Sequence, residues 1–184
     1  MEGNPISTSF SFPNSVDLRQ YIREVPDFPK KGINFYDIST LIANADAWQL
    51  TTARLTKITA EFNPDLLLGV ESRGFICAAS VAQRLGLGFA MVRKPGKLPT
   101  ETISESYGLE YGQDELHLQK DVIRPGQRVV IMDDLLATGG TVAAACRLIE
   151  KAGGVVAGIA VIVELEFLKA REKLSAPVAT LVTY

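Results

Sequence analysis

The amino-acid sequence predicts an α/β protein in which helices flank a parallel, twisted β-sheet. Short apolar runs alternate along the chain with segments whose apolar residues recur at the helical period. The continuous apolar run Leu66–Val70 is typical of a strand buried on both faces. With 184 residues, the chain is long enough for one domain with a sizeable core. We therefore expect a single domain over residues 15–184, preceded by a polar arm at residues 1–14.

The predicted elements follow from apolar periodicity and from capping and breaking residues. Ser15 is expected to cap a short helix that Pro26 ends, and Asn44 is expected to cap a longer one that Pro64 ends. The other predicted helices cover residues 44–63, 74–85 and 141–152, and a last short helix is predicted over residues 166–174. The predicted strands cover residues 33–38, 66–70, 89–92, 129–132, 155–163 and 178–182.

Bulk composition narrows the classes of function. The formal net charge of -2 gives no reason to expect nucleic acid or an anionic membrane as a partner. No apolar run approaches the roughly 20 residues of a membrane helix, and residues 1–13 do not resemble a signal peptide. Cys77 and Cys146 lie in apolar helical patterns, which favour buried free thiols over a disulfide or metal pair. We expect a cytoplasmic protein.

One long polar stretch, residues 93–120, interrupts the alternation of strands and helices. Residues 108–112 and 115–119 alternate like the two strands of a hairpin. Excursions of this length in compact domains are functional lids or disordered segments. His117, the only histidine, lies on the polar side of the hairpin, so we expect a surface side chain and no catalytic role.

A buried strand at residues 129–132 leads through two aspartates into a small-residue turn and a helix. The turn consists of Ala137, Thr138, Gly139, Gly140 and Thr141. Free N–H groups and the helix dipole at such a turn favour a bound anion. The sequence is neither a Walker A loop nor a dinucleotide fingerprint, because it has no lysine before the hydroxyl residue and its glycines are adjacent. With Asp133 and Asp134 beside it, a phosphorylated ribose is favoured over a plain strand–turn–helix junction.

Two further segments place cations after strands. Arg73 separates a strand from a helix, and its planar guanidinium group suits phosphate oxygens. Arg93, Lys94 and Lys97 lie within five residues of one another. A solvated arginine and a solvated basic turn are the alternatives, but the predicted phosphate site favours a role in attracting an anion.

The string Asp-Asp-Leu-Leu-Ala-Thr-Gly-Gly-Thr at residues 133–141 resembles the signature of the type I phosphoribosyltransferases, and the likeness extends from about residue 18 to the last residue. The resemblance implies their fold, with a small N-terminal hood over about residues 15–40 and a flexible β-hairpin lid over about residues 93–120. It implies transfer of a phosphoribosyl group from phosphoribosyl pyrophosphate to a base, with adenine as the expected base. It further implies Mg²⁺, bound mainly through the substrate rather than directly by the protein, and a homodimer.

The resemblance also assigns roles to residues. The pyrophosphate would be bound by Glu71, Ser72, Arg73, Arg93, Lys94 and Lys97, with a cis peptide between Glu71 and Ser72. The ribose and its 5′-phosphate would be bound by Asp133, Asp134, Ala137, Thr138, Gly139, Gly140 and Thr141. The catalytic groups would be Arg73, Asp133, Asp134 and Glu110, with Glu110 near the base and Tyr111 in the lid. The base would contact Asn34, Phe35, Tyr36, Leu135 and Leu165.

Both the predicted base pocket and the predicted function have alternatives. Phe35 could equally be a core strand residue, and Lys31, Asn34 and Tyr36 depart from the residues common in the family. The rivals are transfer to hypoxanthine, xanthine or orotate, a non-catalytic sensor of phosphoribosyl pyrophosphate, and a generic nucleotide-binding domain. The sensors usually carry a DNA-binding segment, and no basic recognition helix is evident in this sequence.

Overall fold

A computed structural model describes residues 16–108 and 113–184. In these ranges the α-helices are α1 (Ser39–Ala43), α2 (Ala45–Ala60), α3 (Gly74–Leu85) and α4 (Gly140–Lys151). The strands are β1 (Arg23–Pro26), β2 (Asn34–Asp37), β3 (Leu66–Val70), β4 (Gly88–Val92), β5 (Thr102–Gly108), β6 (Gln113–Gln119), β7 (Arg128–Leu136), β8 (Val155–Glu164) and β9 (Val178–Thr183). Short 3₁₀ turns cover Leu18–Tyr21, Glu166–Leu168 and Ala170–Lys173.

The central sheet is parallel, with the strand order β4-β3-β7-β8-β9. Neighbouring residues of its strands face opposite sides. Leu67 and Met132 contribute to the core on the side of α2 and α3, whereas Leu68 and Ile131 contribute to the core on the side of α4 and the β5–β6 hairpin. The predicted parallel sheet with helices on both faces is confirmed.

The buried thiols agree with the sequence prediction. Cys77 and Cys146 are both free and buried, one in each core. No helix in the described part of the chain has the length and apolar character that a membrane crossing requires.

The N-terminal and C-terminal helices were predicted wrongly. Asp17 caps only the 3₁₀ turn Leu18–Tyr21, and the next residues form β1, which pairs antiparallel with β2. The pairing of Val25 with Phe35 overrides the helical spacing of its apolar neighbours. Residues 166–174 form two 3₁₀ turns instead of one helix, because Lys169 takes a left-handed conformation between them. Ser15 lies outside the described residues.

Two strand boundaries also differ from the prediction. The first hairpin strand is Thr102–Gly108, and its pairing runs from Thr102 opposite Gln119 to Gly108 opposite Gln113. Strand β7 continues through both aspartates to Leu136, because β8 pairs with it over that length. The acidic residues are therefore held by a sheet rather than by a loop.

The base of the hairpin is fastened to its surroundings. Arg93 and His117 exchange two backbone hydrogen bonds, of 3.0 and 2.7 Å. Glu105 accepts from Arg147 Nε at 2.5 Å and also pairs with Lys151, so β5 is fixed to α4. His117 is half-buried, with Nδ1 3.0 Å from Thr102 Oγ1, so its predicted surface position was wrong.

The end of β8 contains a buried acid with a bidentate partner. Glu164 accepts from Arg171 Nε at 2.7 Å and from Arg171 Nη2 at 2.6 Å, and Arg171 Nη1 donates to the Val178 carbonyl at 2.9 Å. This pair connects the turn Ala170–Lys173 to the sheet.

Replacing Arg171 by methionine should destabilise the fold, because Glu164 would remain buried without its counter-charge. We expect the free energy of unfolding to fall by about 1–3 kcal/mol, below the value for a fully buried pair because Arg171 is 40% exposed. Urea titration of the purified protein measures this loss. Lys169→Met, which removes an exposed contact of 3.9 Å to Glu172, is the matched control and should change little. An equal loss of unfolding free energy in the two variants would contradict the prediction.

Candidate active site

A cavity of about 540 Å³ lies beyond the carboxyl ends of β3 and β7. Ligands of parallel α/β sheets bind at this edge. The predicted site residues that line it are Glu71, Ser72 and Arg73 after β3, Lys94 after β4, and Asp133, Asp134, Leu135 and Thr141 from β7 and α4. The structure thus brings together three segments that are far apart in the sequence.

Two adjacent aspartates face this cavity with different surroundings. Asp134 is buried, and its Oδ2 lies 2.8 Å from Arg73 Nε. The contact is an ion pair, since Oδ2 has no well-oriented hydrogen-bond donor among the described residues. Asp133 Oδ1 accepts from the Asp134 N–H at 2.8 Å. Burial and the neighbouring Asp134 carboxylate raise the pKa of Asp133 well above its usual value, although Arg73 opposes the shift.

Close packing at Gly74 brings the arginine to the aspartates. A β-carbon at Gly74 would lie 2.5 Å from the Met132 carbonyl oxygen and 3.1 Å from Asp133 Oδ1. Any side chain would therefore push the start of α3 away from β7. The absence of a side chain at Gly74 allows Arg73, the preceding residue, to reach Asp134.

Glu71 connects the loop after β3 to the basic segment after β4. Its Oε1 accepts from Arg93 Nη2 at 3.0 Å, and its Oε2 accepts from the Lys94 N–H at 2.9 Å. The hydrogen bond from Arg93 lowers the pKa of Glu71. Arg93 Nη1 also donates to the Lys97 carbonyl at 3.0 Å. The peptide between Glu71 and Ser72 is cis, as expected. Arg93 therefore holds the segment together, while Lys97 is exposed outside the cavity.

The sequence did not identify Asp114 or Tyr107 as residues of this site. Asp114 on β6 forms an ion pair with Lys94 and also accepts from Tyr107 Oη at 3.0 Å. Tyr107 is buried and lines the cavity beside the start of α4. Both residues lie in the polar excursion, where alternation alone did not distinguish them from surface positions.

The small-residue turn precedes α4 as predicted. Gly139 has a φ of 82°, a conformation that glycine adopts without a steric penalty, and α4 begins at the next residue. Thr138 is exposed, and its carbonyl accepts from Lys173 Nζ at 3.0 Å. Of the five turn residues, Thr141 lines the described cavity.

The predicted base-binding residues separate into two groups. The Phe35 ring lies against Phe28, with ring centroids 5.2 Å apart, and under Arg73, whose Cζ is 5.4 Å from the Phe35 centroid. Asn34 donates to Glu24 at 3.0 Å, and Tyr36 stacks on Tyr184 at 3.9 Å. Leu135 lines the cavity, whereas Asn34, Phe35, Tyr36 and the buried Leu165 do not. Glu110 and Tyr111 lie outside the described residues.

The carboxylates offer oxygen ligands of the kind that Mg²⁺ prefers. In residues 16–108 and 113–184, no three acidic, histidine or cysteine side chains are grouped closely enough to hold an ion by themselves. The unsatisfied Asp134 Oδ2 can accept a hydrogen bond from a hydroxyl group or from a metal-bound water.

Comparison with known families agrees with this geometry. Residues 42–181 match the model of the phosphoribosyl transferase domain. The chain therefore belongs to the phosphoribosyl transferase family.

Within the family, the chain is similar to adenine phosphoribosyltransferases. It is 62% identical to the enzyme of that name from Gluconobacter oxydans, over 96% of this chain and 98% of the relative. The crystal structure of the Thermoanaerobacter pseudethanolicus adenine phosphoribosyltransferase is 48% identical, with a TM-score of 0.88 over 91% of this chain and 98% of that one. The Saccharomyces cerevisiae enzyme, complexed with adenine and an imino-altritol bisphosphate, is 40% identical, with a TM-score of 0.85 over 89% and 96% of the two chains.

The raised pKa of Asp133 makes stability depend on pH. The folded state binds a proton at pH values where the unfolded chain has released it, so this group lowers stability as pH rises above about 3.9. Asp133→Asn should therefore raise the Tm of the ligand-free protein at pH 7–8 by about 2–4 °C. This gain in Tm should become smaller as the pH is lowered and should disappear below the ordinary pKa of an aspartate carboxyl group. Thermal unfolding across this pH range measures it.

Asp134→Asn is the matched control for this prediction. It relieves the repulsion on Asp133 but leaves Arg73 without its buried partner, and because this loss should outweigh the relief, we expect no gain in Tm. A gain as large as that of Asp133→Asn, or a gain independent of pH, would contradict our explanation.

Proposed function

We propose that the protein is a purine salvage enzyme that transfers a phosphoribosyl group from phosphoribosyl pyrophosphate to adenine, giving AMP and pyrophosphate. The observation that carries this proposal is the ion pair of Arg73 with Asp134 in a cavity that also contains Lys94 and, at the start of α4, Thr141. A sugar held there has its hydroxyl groups beside carboxylates, its leaving group beside cations, and its phosphate at a helix start. The identity of the relatives supports adenine as the base.

The reaction builds positive charge on the ribose ring and negative charge on the departing pyrophosphate. The protein's contribution is positional and electrostatic. Asp133 and Asp134 would accept hydrogen bonds from the ribose hydroxyls, directly or through water. The turn at residues 137–141 would hold the 5′-phosphate through N–H groups and through the hydroxyls of Thr138 and Thr141.

The leaving pyrophosphate would lie beside Ser72, Arg73 and Lys94, which line the cavity. Glu71 and Arg93 would act by holding this segment in shape, since each already binds the other. Lys97 would attract the substrate from an exposed position. Mg²⁺, carried mainly by the substrate, would neutralise pyrophosphate charge, and Asp133 and Asp134 would bind its hydration shell.

The adenine ring would lie against Phe35, with Leu135 and Leu165 on the other side and Asn34 and Tyr36 bordering this pocket. The proximity of Phe35 to Arg73 supports a base position next to the ribose. Residues 15–40 would form the hood over the base. Residues 93–120 would form the lid that excludes water, with Tyr111 in its closing part and Glu110 handling a proton on the base.

A homodimer in the cytoplasm is part of this proposal. Ile76 on α3 and Phe89 and Met91 on β4 are exposed apolar residues, with exposures of 40%, 38% and 39%. Phe89 and Met91 face the same side of β4, an edge strand of the central sheet. An apolar surface beside a sheet edge that no other strand of the described residues pairs with is suited to a second copy of the chain.

The first experiment measures pyrophosphate release with phosphoribosyl pyrophosphate and Mg²⁺ in the presence of adenine, hypoxanthine, guanine, xanthine or orotate. We expect release with adenine and its loss when EDTA is added. Release with another base would change the specificity but keep the reaction. Tight substrate binding without release would indicate a sensor.

In the same assay, Arg73→Ala should lower kcat/KM by about 100-fold or more, because a cation at the leaving group is lost and Asp134 is left unpaired. Arg84→Ala, which removes a contact between α3 and Gln49, is the control and should keep activity. Full activity of Arg73→Ala would contradict the proposed site.

The dimer proposal is tested by sedimentation of the wild-type protein and of Met91→Glu. We expect a dimer that the charged side chain converts to monomers. Phe167→Glu, at a residue that is 67% exposed on another part of the surface, should remain dimeric. A wild-type protein that sediments as a monomer would overturn this part of the proposal.

A further inference from the structure

The turn Ala170–Lys173 packs directly against the turn that precedes α4. A β-carbon at Gly139 would lie 3.2 Å from both the Cβ and the carbonyl oxygen of Ala170, which is itself buried. Arg171 fixes the same turn to the end of β8 through Glu164. The segment is therefore a firm support on one side of the predicted 5′-phosphate site.

Lys173, the last residue of Ala170–Lys173, contacts the backbone of residues 137–141, which we call the phosphate turn. Its Nζ donates to the Thr138 carbonyl at 3.0 Å. The bond between Thr138 and Gly139 is an ordinary trans peptide, so the Thr138 carbonyl and the Gly139 N–H point in opposite directions. A carbonyl held on the side of Lys173 therefore directs the Gly139 N–H to the other side, away from the support.

The phosphate turn has no cation of its own. Residues 137–141 include two threonines and two glycines, but no lysine or arginine. A lysine at the Thr138 carbonyl therefore adds positive charge near a site that otherwise depends on N–H groups and hydroxyls.

We propose that Lys173 is a positioning residue for the 5′-phosphate. It fixes the orientation of the Thr138–Gly139 peptide and adds positive charge at the Thr138 carbonyl. This inference rests on the proposed function of the same site. It predicts that substitution of Lys173 weakens the binding of ligands that carry a 5′-phosphate and leaves the binding of pyrophosphate unchanged.

The experiment measures binding of AMP, and separately of pyrophosphate with Mg²⁺, by calorimetry on the full chain. The variants are Lys173→Met, Lys173→Arg and the matched control Lys169→Met, which removes an equal charge from the same segment. We expect Lys173→Met to weaken AMP binding by about two- to tenfold, the worth of one hydrogen bond, and to leave pyrophosphate binding unchanged. Lys173→Arg should restore most of the affinity, and Lys169→Met should resemble the wild type.

Kinetics provides a second readout. Lys173→Met should raise the KM for phosphoribosyl pyrophosphate by a similar factor and leave kcat nearly unchanged, because the contact is present before and during the reaction. Thermal unfolding verifies that each variant is folded, and Lys173→Gln replaces Lys173→Met if the latter is not.

Three results would overturn the inference. They are wild-type AMP affinity in Lys173→Met, equal losses in Lys169→Met, and an equal loss of pyrophosphate binding. Failure of the wild-type protein to bind AMP would be a different result, since it would overturn the proposed function itself.

Discussion

The close contact between the start of α3 and the end of β7 determines the geometry of the site. Gly74 lies against the Met132 carbonyl, and Arg73 consequently reaches Asp134 across two strands that are adjacent in the sheet but distant in the sequence. Arg73 and the small-residue turn before α4 are thereby held at a separation set by the backbone. Side chains refine this arrangement, but the sheet register and one glycine create it.

The same contact concentrates charge at some cost to stability. Asp133 and Asp134 are neighbours in a strand, and a single arginine faces them. Paired carboxylates in a partly buried position repel each other, and a fold selected only for stability would avoid them. Their presence is understandable when a bound molecule supplies hydroxyl groups or positive charge between them. Binding of a sugar at these carboxylates, as proposed above, would relieve this conflict.

The sequence was most informative where the site is contiguous. The strand, the two acids, the small-residue turn and α4 follow one another without interruption, so local rules predicted this order of elements. The sequence did not identify Tyr107, Asp114 and Lys173, because their contacts depend on the hairpin register and on packing between distant segments. Strand β1 was mistaken for a helix for the same reason, since only its pairing with β2 distinguishes the two structures.

The pairing of Gly108 with Gln113 has a practical consequence for protein engineering. Below this pair, Glu105 of β5 binds Arg147 and Lys151 of α4, and Arg93 forms a backbone bridge with His117. Gly108 and Gln113 are therefore two fixed positions at the ends of the paired strands. A designed segment of a different length can be attached at Gly108 and Gln113 while β5 and β6 keep their register.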